Sequence, residues 1–384
     1  MTEAAERWRF GYRLSLAPRQ AADLLSRRTQ LIEDLIGFRL GRSDGAPLFV
    51  PALSAVFVGA LDGGRLLHQI RRRALRVDRP ESVGHLAQSA DCVPSDPGPR
   101  VLAPQALGLN PDRPAGDGVR VAVLDSGVDL GHPDFGGDRI AGSIALVGSG
   151  TVQDGSADSH GTASAGIVAG PRRPFDGGCR YGVAADARLL IAKVIEDSGR
   201  SDSFAVELAC AWALAQGADI ISLSLGFDRA RDAAPSVLSR SLSRLSRKHR
   251  VLIVAAAGNG DRQRDGIKNP AAGAQVLAIG ALDLAGRVRR DSLGGDAGAE
   301  VFCVAPGSNV VSPRREANPA APVGARHFFN GTSAAAPVVA GLAAVIRAEQ
   351  PGCCAEMLAL ELARRCRLPP DADPTVYGHG VVRA

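Results

Sequence analysis

Six runs of apolar residues between positions 119 and 305 restrict the possible folds more than any other feature of the sequence. Each run is continuous in Val, Ile, Leu and Ala, and several are separated by segments with helical periodicity. Continuous apolar strands are buried on both faces, as in a mainly parallel sheet covered by helices. We therefore predict an α/β domain with a seven-stranded type of sheet. The predicted strands are 119–124, 188–194, 220–225, 251–256, 276–281 and 301–305, and the predicted helices between them are 160–169, 203–216 and 233–249.

Two polar residues follow predicted strands, at the edge of the sheet where functional side chains collect. Asp125 comes directly after the first run. A carboxylate there must be paired or hydrogen-bonded, either by orienting a histidine or by capping the turn. Asn259 follows the run that ends at residue 256. Its amide either donates to an oxygen that becomes negative during acyl transfer or belongs to a turn beside Gly258 and Gly260.

Two further segments have the pattern of helices whose first turn consists of unusually small residues. One begins at His160, and the other contains Ser333 and continues through Ala336 and Pro337. A serine nucleophile needs a base such as histidine within hydrogen-bond reach, and free N–H groups at a helix start stabilise a negative oxygen. Read alone, each segment also fits an ordinary buried helix. His327 is the second candidate for the base, because it is close to Ser333 in sequence. None of the remaining histidines stands beside a comparable helix start. They are His68, His85, His132, His249 and His379.

Together these segments resemble the subtilisin-like serine proteases, or subtilases. The sequences LDSG, HGT, AGN and GTSAAAP occur in the order in which that family carries its aspartate, histidine, oxyanion asparagine and serine motifs. The resemblance covers approximately residues 118–380. It implies the three-layer subtilisin-like fold, a serine endopeptidase activity and peptide or protein substrates. A catalytically silent binding or scaffold protein on the same fold is the alternative function. A nucleotide-binding protein is a weaker one, because no phosphate-binding glycine loop follows the first strand.

The resemblance also implies roles for individual residues. Ser333 is implied as the nucleophile, His160 as the general base and then acid, and Asp125 as the group that orients the imidazole. Asn259 is implied as the donor to the oxyanion. The implied substrate-binding residues, on one edge of the cleft and on its facing wall, are Ser224, Leu225, Gly226, Ala256, Ala257 and Gly258.

We expect no metal ion and no other cofactor. Residues 170–181 do not resemble the calcium loop that is frequent in the family, although Asp134 stands where relatives often bind calcium. Two other positions depart from the pattern of many relatives. Ala163 replaces a polar residue, Ala334 replaces a methionine, and neither is part of the triad.

The chain divides into three predicted parts. Residues 1–83 form a small α+β unit, residues 84–117 a linker and docking segment rich in Pro, Gly, Asp and Ser, and residues 118–384 the peptidase domain. Within the first unit we predict strands at 13–16, 48–61 and 74–77 and helices at 21–39 and 64–73. Its layout resembles the propeptide of secreted subtilases, so we expect it to dock on the peptidase domain. An unrelated accessory domain that recognises a substrate is the alternative.

Composition and charge exclude several other classes of protein. The 45% hydrophobic and 22% charged residues are typical of a globular chain. The net charge of +5 comes from arginine clusters without interleaved aromatic residues, which disfavours a nucleic-acid partner. Seven cysteines at no metal-like spacing predict neither a metal site nor a disulfide framework. Residues 1–16 lack the apolar core of a secretory signal, so we expect a cytoplasmic processing or maturation protease without membrane contact.

Overall fold

The computed structural model describes most of the chain after residue 79 and parts of the chain before it. Backbone alone is described for residues 10–15, 48–50, 55–59 and 76–78, and side chains as well for residues 80–85, 99–110, 113, 115–315 and 326–384. The helices predicted at 21–39 and 64–73 lie outside the described residues.

The strands of the described residues, in chain order, are β1 Phe10–Ser15, β2 Leu48–Val50, β3 Ala55–Gly59, β4 Arg76–Asp78, β5 Ser82–His85, β6 Arg120–Asp125, β7 Ile140–Ala145, β8 Arg188–Lys193, β9 Arg200–Asp202, β10 Ile220–Leu223, β11 Leu225–Gly226, β12 Leu252–Ala256, β13 Val276–Leu282, β14 Cys303–Pro306, β15 Val310–Pro313, β16 Arg326–Phe329, β17 Cys366–Arg367 and β18 Val381–Val382. The helices are α1 Ala103–Leu107, α2 His160–Ala169, α3 Ser203–Ala215, α4 Val237–His249, α5 Thr332–Glu349, α6 Ala355–Arg364 and α7 Pro374–Tyr377.

A mixed, mainly parallel sheet forms the centre of the peptidase part. Its strand order is β17-β18-β14-β13-β12-β10-β6-β8-β7, and every neighbouring pair is parallel except β17 with β18. All six predicted apolar runs contribute a strand to it. The edge strand β7 was absent from the prediction, because exposed and partly buried residues alternate along most of its length and leave no continuous apolar run.

Helices cover both faces of this sheet and make the three layers that the sequence predicts. On one face α2 and α5 share a hydrophobic cluster with β6, β8 and β12. On the other face α3 and α4 pack through a second cluster, in which Val206 and Leu242 are fully buried. By length and composition α5 could span a membrane, but 83% of that stretch is buried inside the protein. Its burial identifies it as a core helix.

Strand β5 lies apart from the sheet that precedes it. The order β2-β3-β1-β4 describes an antiparallel sheet of the first unit, whereas β5 is the middle strand between β11 and β9. Both pairings are antiparallel, with His85 opposite Leu225 and Gly84 opposite Gly226. The predicted boundary between residues 83 and 84 therefore falls within a strand that lies against the peptidase part.

Candidate active site

Asp125 and His160 meet at the carboxyl end of β6 and the start of α2. The Nδ1 atom of His160 lies 2.8 Å from Oδ1 of Asp125, and both side chains are almost completely buried. The other carboxylate oxygen of Asp125 accepts a hydrogen bond from the Ser164 hydroxyl at 3.1 Å, and Oδ1 also accepts one from the N–H of Ser126 at 2.7 Å. The carboxylate is thus satisfied on both oxygens and holds the imidazole in one orientation.

The two groups shift each other's pKa values in opposite directions. Burial acts to raise the pKa of Asp125, but the neighbouring His160 and His85 lower it more strongly, so the carboxyl stays ionised. Burial acts to lower the pKa of His160, but the carboxylate of Asp125 raises it above its ordinary value of 6.5. Asp125 therefore favours the protonated imidazole that forms when His160 takes a proton.

A second buried carboxylate fixes the start of α2. One oxygen of Asp154 accepts from the N–H of Thr162 at 2.9 Å and from its hydroxyl at 2.7 Å. The other accepts from the hydroxyls of Ser126 and Ser156 at 3.0 and 2.6 Å. The Ser156 hydroxyl in turn accepts from the N–H of His160 at 3.0 Å. Asp154 thus performs the capping that the Ser159 side chain, at the N-cap position, does not.

The small residues after His160 allow α2 to approach β6 closely. A Cβ atom on Gly161 would lie 2.2 Å from the carbonyl oxygen of Gly127, which is backbone and cannot move aside cheaply. The N–H of Gly161 donates to the Ser126 hydroxyl at 2.9 Å. The glycine in the HGT motif is therefore required for Asp125 and His160 to lie within hydrogen-bond distance.

Ser333 lies in the first turn of α5 and is 1% exposed. Pro337 in the same helix has no N–H, so the carbonyl of Ser333 lacks its usual partner. The Ser224 hydroxyl replaces it by donating to that carbonyl oxygen at 2.9 Å. The Ser333 hydroxyl itself makes a long contact of 3.5 Å with the carbonyl oxygen of Ser224.

Asn259 is positioned against the start of α5. Its Oδ1 atom accepts from the N–H and from the hydroxyl of Thr332, at 3.1 and 3.2 Å. Gly331 has a φ angle of +85°, and a Cβ atom there would lie 2.9 Å from Nδ2 of Asn259. These contacts orient the amide so that its NH2 group lies beside the loop that leads to Ser333.

The polar atoms that are buried at this site without a hydrogen-bond partner among the described residues include Nε2 of His160 and Nδ2 of Asn259. A buried polar atom without a partner is costly, and such atoms in a native structure commonly belong to a functional site. One atom can accept or return a proton, and the other can donate to an oxygen.

The predicted substrate-binding residues fall into two groups. Leu225 and Gly226 form β11 and pair with β5, whereas Ser224 contacts Ser333 as described above. The facing residues Ala256, Ala257 and Gly258 are buried, and the N–H of Gly258 donates to the Thr332 hydroxyl at 3.2 Å. A contact of this second group with substrate stays a prediction.

The sequence analysis assigns no role to His85, yet this residue lies directly against the site. Its ring stacks on that of His160 with centroids 4.0 Å apart, and its Nε2 atom lies 3.4 Å from Oδ1 of Asp125. No motif around His85 signals this position, because it arises from the pairing of β5. Asp154 and Ser164 were also missed, although Asp154 precedes the HGT motif by only a few residues.

His327, the second candidate for the base, lies on β16 and stacks on Phe329. Burial and the nearby Arg314 lower its pKa to about 4, so it is neutral at physiological pH. The carboxylate of Asp125 contacts His160 and His85, and within the described residues it makes no hydrogen bond or ion pair with His327. The geometry therefore favours His160 over His327 as the base.

The acidic groups of this region are engaged in hydrogen bonds. Asp134, which the sequence resemblance aligns with a frequent calcium position, accepts from the hydroxyl of Tyr181 at 2.7 Å and from the N–H of Phe175 at 2.7 Å. Within the described residues, His85, Asp125 and His160 form the group whose ligand atoms are close enough to hold a metal ion. Asp125 and His160 already form a hydrogen bond of 2.8 Å with each other, and this bond accounts for their contact.

This chain is similar to known proteins in its sequence and in its fold. The model of the subtilase family matches residues 116–380. The subtilisin of Bacillus pumilus is 32% identical over 240 residues, which are 62% of this chain and 79% of that protein. The major intracellular serine protease of Bacillus subtilis (strain 168) is 33% identical over 278 residues, 69% of this chain and 81% of the relative. The crystal structure of fervidolysin from Fervidobacterium pennivorans, a keratinolytic enzyme related to subtilisin, has a TM-score of 0.70 at 21% identity and confirms the predicted fold. That match covers 97% of this chain and 60% of fervidolysin.

Proposed function

We propose that this chain, which belongs to the subtilase family of serine endopeptidases, cuts peptide bonds with Ser333 as the nucleophile and His160 and Asp125 as its partners. The observation that carries the proposal is the buried hydrogen bond of 2.8 Å between Asp125 and His160. It leaves Nε2 of His160 as a buried acceptor without a partner among the described atoms. A histidine held in this way is a base for a hydroxyl.

The proposed reaction begins at the hydroxyl of Ser333. Oγ attacks the carbonyl carbon of the scissile bond while its proton passes to Nε2 of His160. The imidazolium then gives that proton to the departing amine nitrogen as the C–N bond breaks, and an acyl-enzyme remains on Ser333. Water, deprotonated by His160, hydrolyses the ester, and the proton returns to Oγ. Asp125 stays ionised throughout and stabilises the imidazolium.

Asn259 supplies the stabilisation of the negative oxygen in this proposal. Its Nδ2 atom has no partner among the described residues, and Oδ1 is anchored by Thr332, so the NH2 group is held in place before substrate arrives. The N–H of Ser333 is the natural second donor, because the first N–H groups of a helix have no partner within it. Preorganised donors of this kind lower the barrier because they need not reorient during the reaction.

A fluorophosphonate probe tests the nucleophile directly. We expect it to attach to Ser333, to fail on the Ser333→Ala variant and to react much more slowly with His160→Ala. Hydrolysis of casein measured with the same three proteins should follow the labelling. Absence of labelling and of hydrolysis in the folded wild-type protein would instead support a silent binding protein.

The same reasoning extends to the N-terminal unit, for which we infer a propeptide-like role. Strand β5 lies between β9 and β11, and the side chain of His85 reaches the proposed base. A peptide chain that pairs with both edges of the cleft lies as a substrate would. Mass spectrometry of the purified full chain should find a new N-terminus within residues 86–98, whereas Ser333→Ala should stay intact. An active wild-type sample that retains its whole N-terminus would contradict a removable propeptide and favour an accessory domain.

We further infer that the enzyme works inside the cell as a processing protease. One of its relatives is an intracellular serine protease, and it is 33% identical to this chain. The cleft fits closely around β5, and this fit supports a restricted set of substrates over general protein turnover. Fractionation of cells that express the chain with a C-terminal tag tests the location. Recovery of the tagged protein in the medium would contradict it.

A further inference from the structure

We propose that the cleft also contains a subsite for an acidic side chain, built from the starts of α3 and α4 and occupied here by Glu81. This subsite would select substrates with a carboxylate four residues before the one that stacks on His160, and with glycine directly before that residue. The inference rests on the proposed function, because it assumes that β5 and Glu81 lie in the cleft as a bound substrate does.

Glu81 is held by its backbone and by its side chain. Its N–H donates to the Ser203 hydroxyl at 2.9 Å, and its carbonyl oxygen accepts from the N–H of Ser203 at 2.8 Å. The carboxylate oxygen Oε2 accepts from the N–H of Leu238 at 3.2 Å. Ser203 begins α3 and Leu238 lies in the first turn of α4, so two helix starts converge on the residue directly before β5.

The start of α4 is suited to a carboxylate that comes from outside the helix. The hydroxyl of its N-cap, Ser236, accepts from the N–H of Ser239 at 3.1 Å, and no acidic residue lies in the first turn. The N–H of Leu238 and the dipole at this end attract negative charge, and the first turn of α4 supplies no carboxylate of its own. Glu81 brings that charge.

The next positions along β5 are selective as well. Val83 is 3% exposed and belongs to the hydrophobic cluster that contains Val206, Leu225 and Leu238. A Cβ atom on Gly84 would lie 2.8 Å from the carbonyl oxygen of Gly199, which is backbone in the turn before β9. The cleft therefore has room for glycine alone at this position, unless that turn moves.

Three peptides test the subsite on protein produced from the full chain. The first is a quenched-fluorescent peptide with the sequence of residues 80–90, and the other two carry Glu81→Gln or Gly84→Ala. We expect kcat/KM to fall about 5- to 30-fold for the glutamine peptide, the range for a carboxylate at a partly buried helix start. For the alanine peptide we expect a loss on the order of tenfold or more, as for overpacking.

A pair of enzyme variants locates the effect. Ser236→Asp keeps a good N-cap but puts a carboxylate at the start of α4, so the preference for glutamate over glutamine should fall below about twofold. Arg247→Gln makes the same change in charge at the exposed far end of α4 and should leave the preference intact. Equal hydrolysis of the glutamate and glutamine peptides, or a preference unchanged in Ser236→Asp, would overturn the acidic subsite alone. Hydrolysis of casein but of none of the peptides would overturn this inference alone, whereas hydrolysis of neither would overturn the proposed function and this inference with it.

Discussion

Replacing Asp154 by asparagine should loosen the start of α2 and with it the position of His160. Asp154 is completely buried, and its Oδ2 atom is the acceptor for the N–H of Thr162. In Asp154→Asn one oxygen can keep the bonds from Ser126 and Ser156. The NH2 group that replaces the other oxygen would face the N–H of Thr162. Two hydrogen-bond donors would then face each other in the protein interior.

The cost follows from these contacts. A buried N–H left without an acceptor costs about 1–3 kcal/mol. Loss of a negative charge at a helix start costs up to about 1 kcal/mol more. We therefore expect local opening of α2 to become easier by about 1–4 kcal/mol, which is a factor of about 5 to 1,000 in the opening equilibrium.

Amide hydrogen exchange measures this opening. It should be followed by mass spectrometry on peptides that cover residues 155–170, in a Ser333→Ala background so that no self-cleavage interferes. In the active enzyme kcat/KM should fall as well, because His160 is the first residue of α2. Asp158→Asn, an exposed change of the same charge two residues before His160, is the control; it breaks no buried hydrogen bond of Asp154 and should raise the exchange far less. Exchange in Asp154→Asn as slow as in the control would refute the anchoring role of Asp154.

Three other predictions concern the chemistry and the packing of the site. Asn259→Ala should lower kcat on the order of 100-fold with little change in KM, the effect known for removing this donor in subtilisin, and steady-state kinetics on one peptide will measure it. Burial lowers and Asp125 raises the pKa of His160, with a net rise, and the base must be neutral to act. The rate should thus be lost as pH falls through a midpoint above 6.5, and a pH–rate profile of kcat/KM should show that midpoint move to lower pH in Asp125→Asn. Gly161→Ala places a Cβ atom 2.2 Å from the Gly127 carbonyl oxygen and should abolish activity, whereas Ala163→Gly in the same helix should leave an active enzyme. An active Gly161→Ala enzyme would show that α2 can move away from β6 without harm.

Local sequence patterns were sufficient for much of the fold and for the choice of candidate residues. Apolar runs that are buried on both faces predict central strands, because such strands have no polar face to display. Edge strands carry no such signal, and β7 was missed for that reason. The motifs around Asp125, His160, Asn259 and Ser333 were recognisable from the sequence. Close packing and a helix start require small neighbours, so glycine and alanine beside a functional side chain mark such a position.

Contacts between distant segments could be decided only by the tertiary structure. The place of His85 against His160 depends on the pairing of β5 with β9 and β11, and nothing beside His85 in the chain encodes it. Pro337 alone indicates that the carbonyl of Ser333 lacks a helical hydrogen bond. That the Ser224 hydroxyl replaces this bond could not be read from the sequence, because the two residues are 109 positions apart. Hydrogen bonds and clashes are set by distances in space. The sequence could therefore determine which side chains are chemically suited to the site, while the folded chain determined which of them meet.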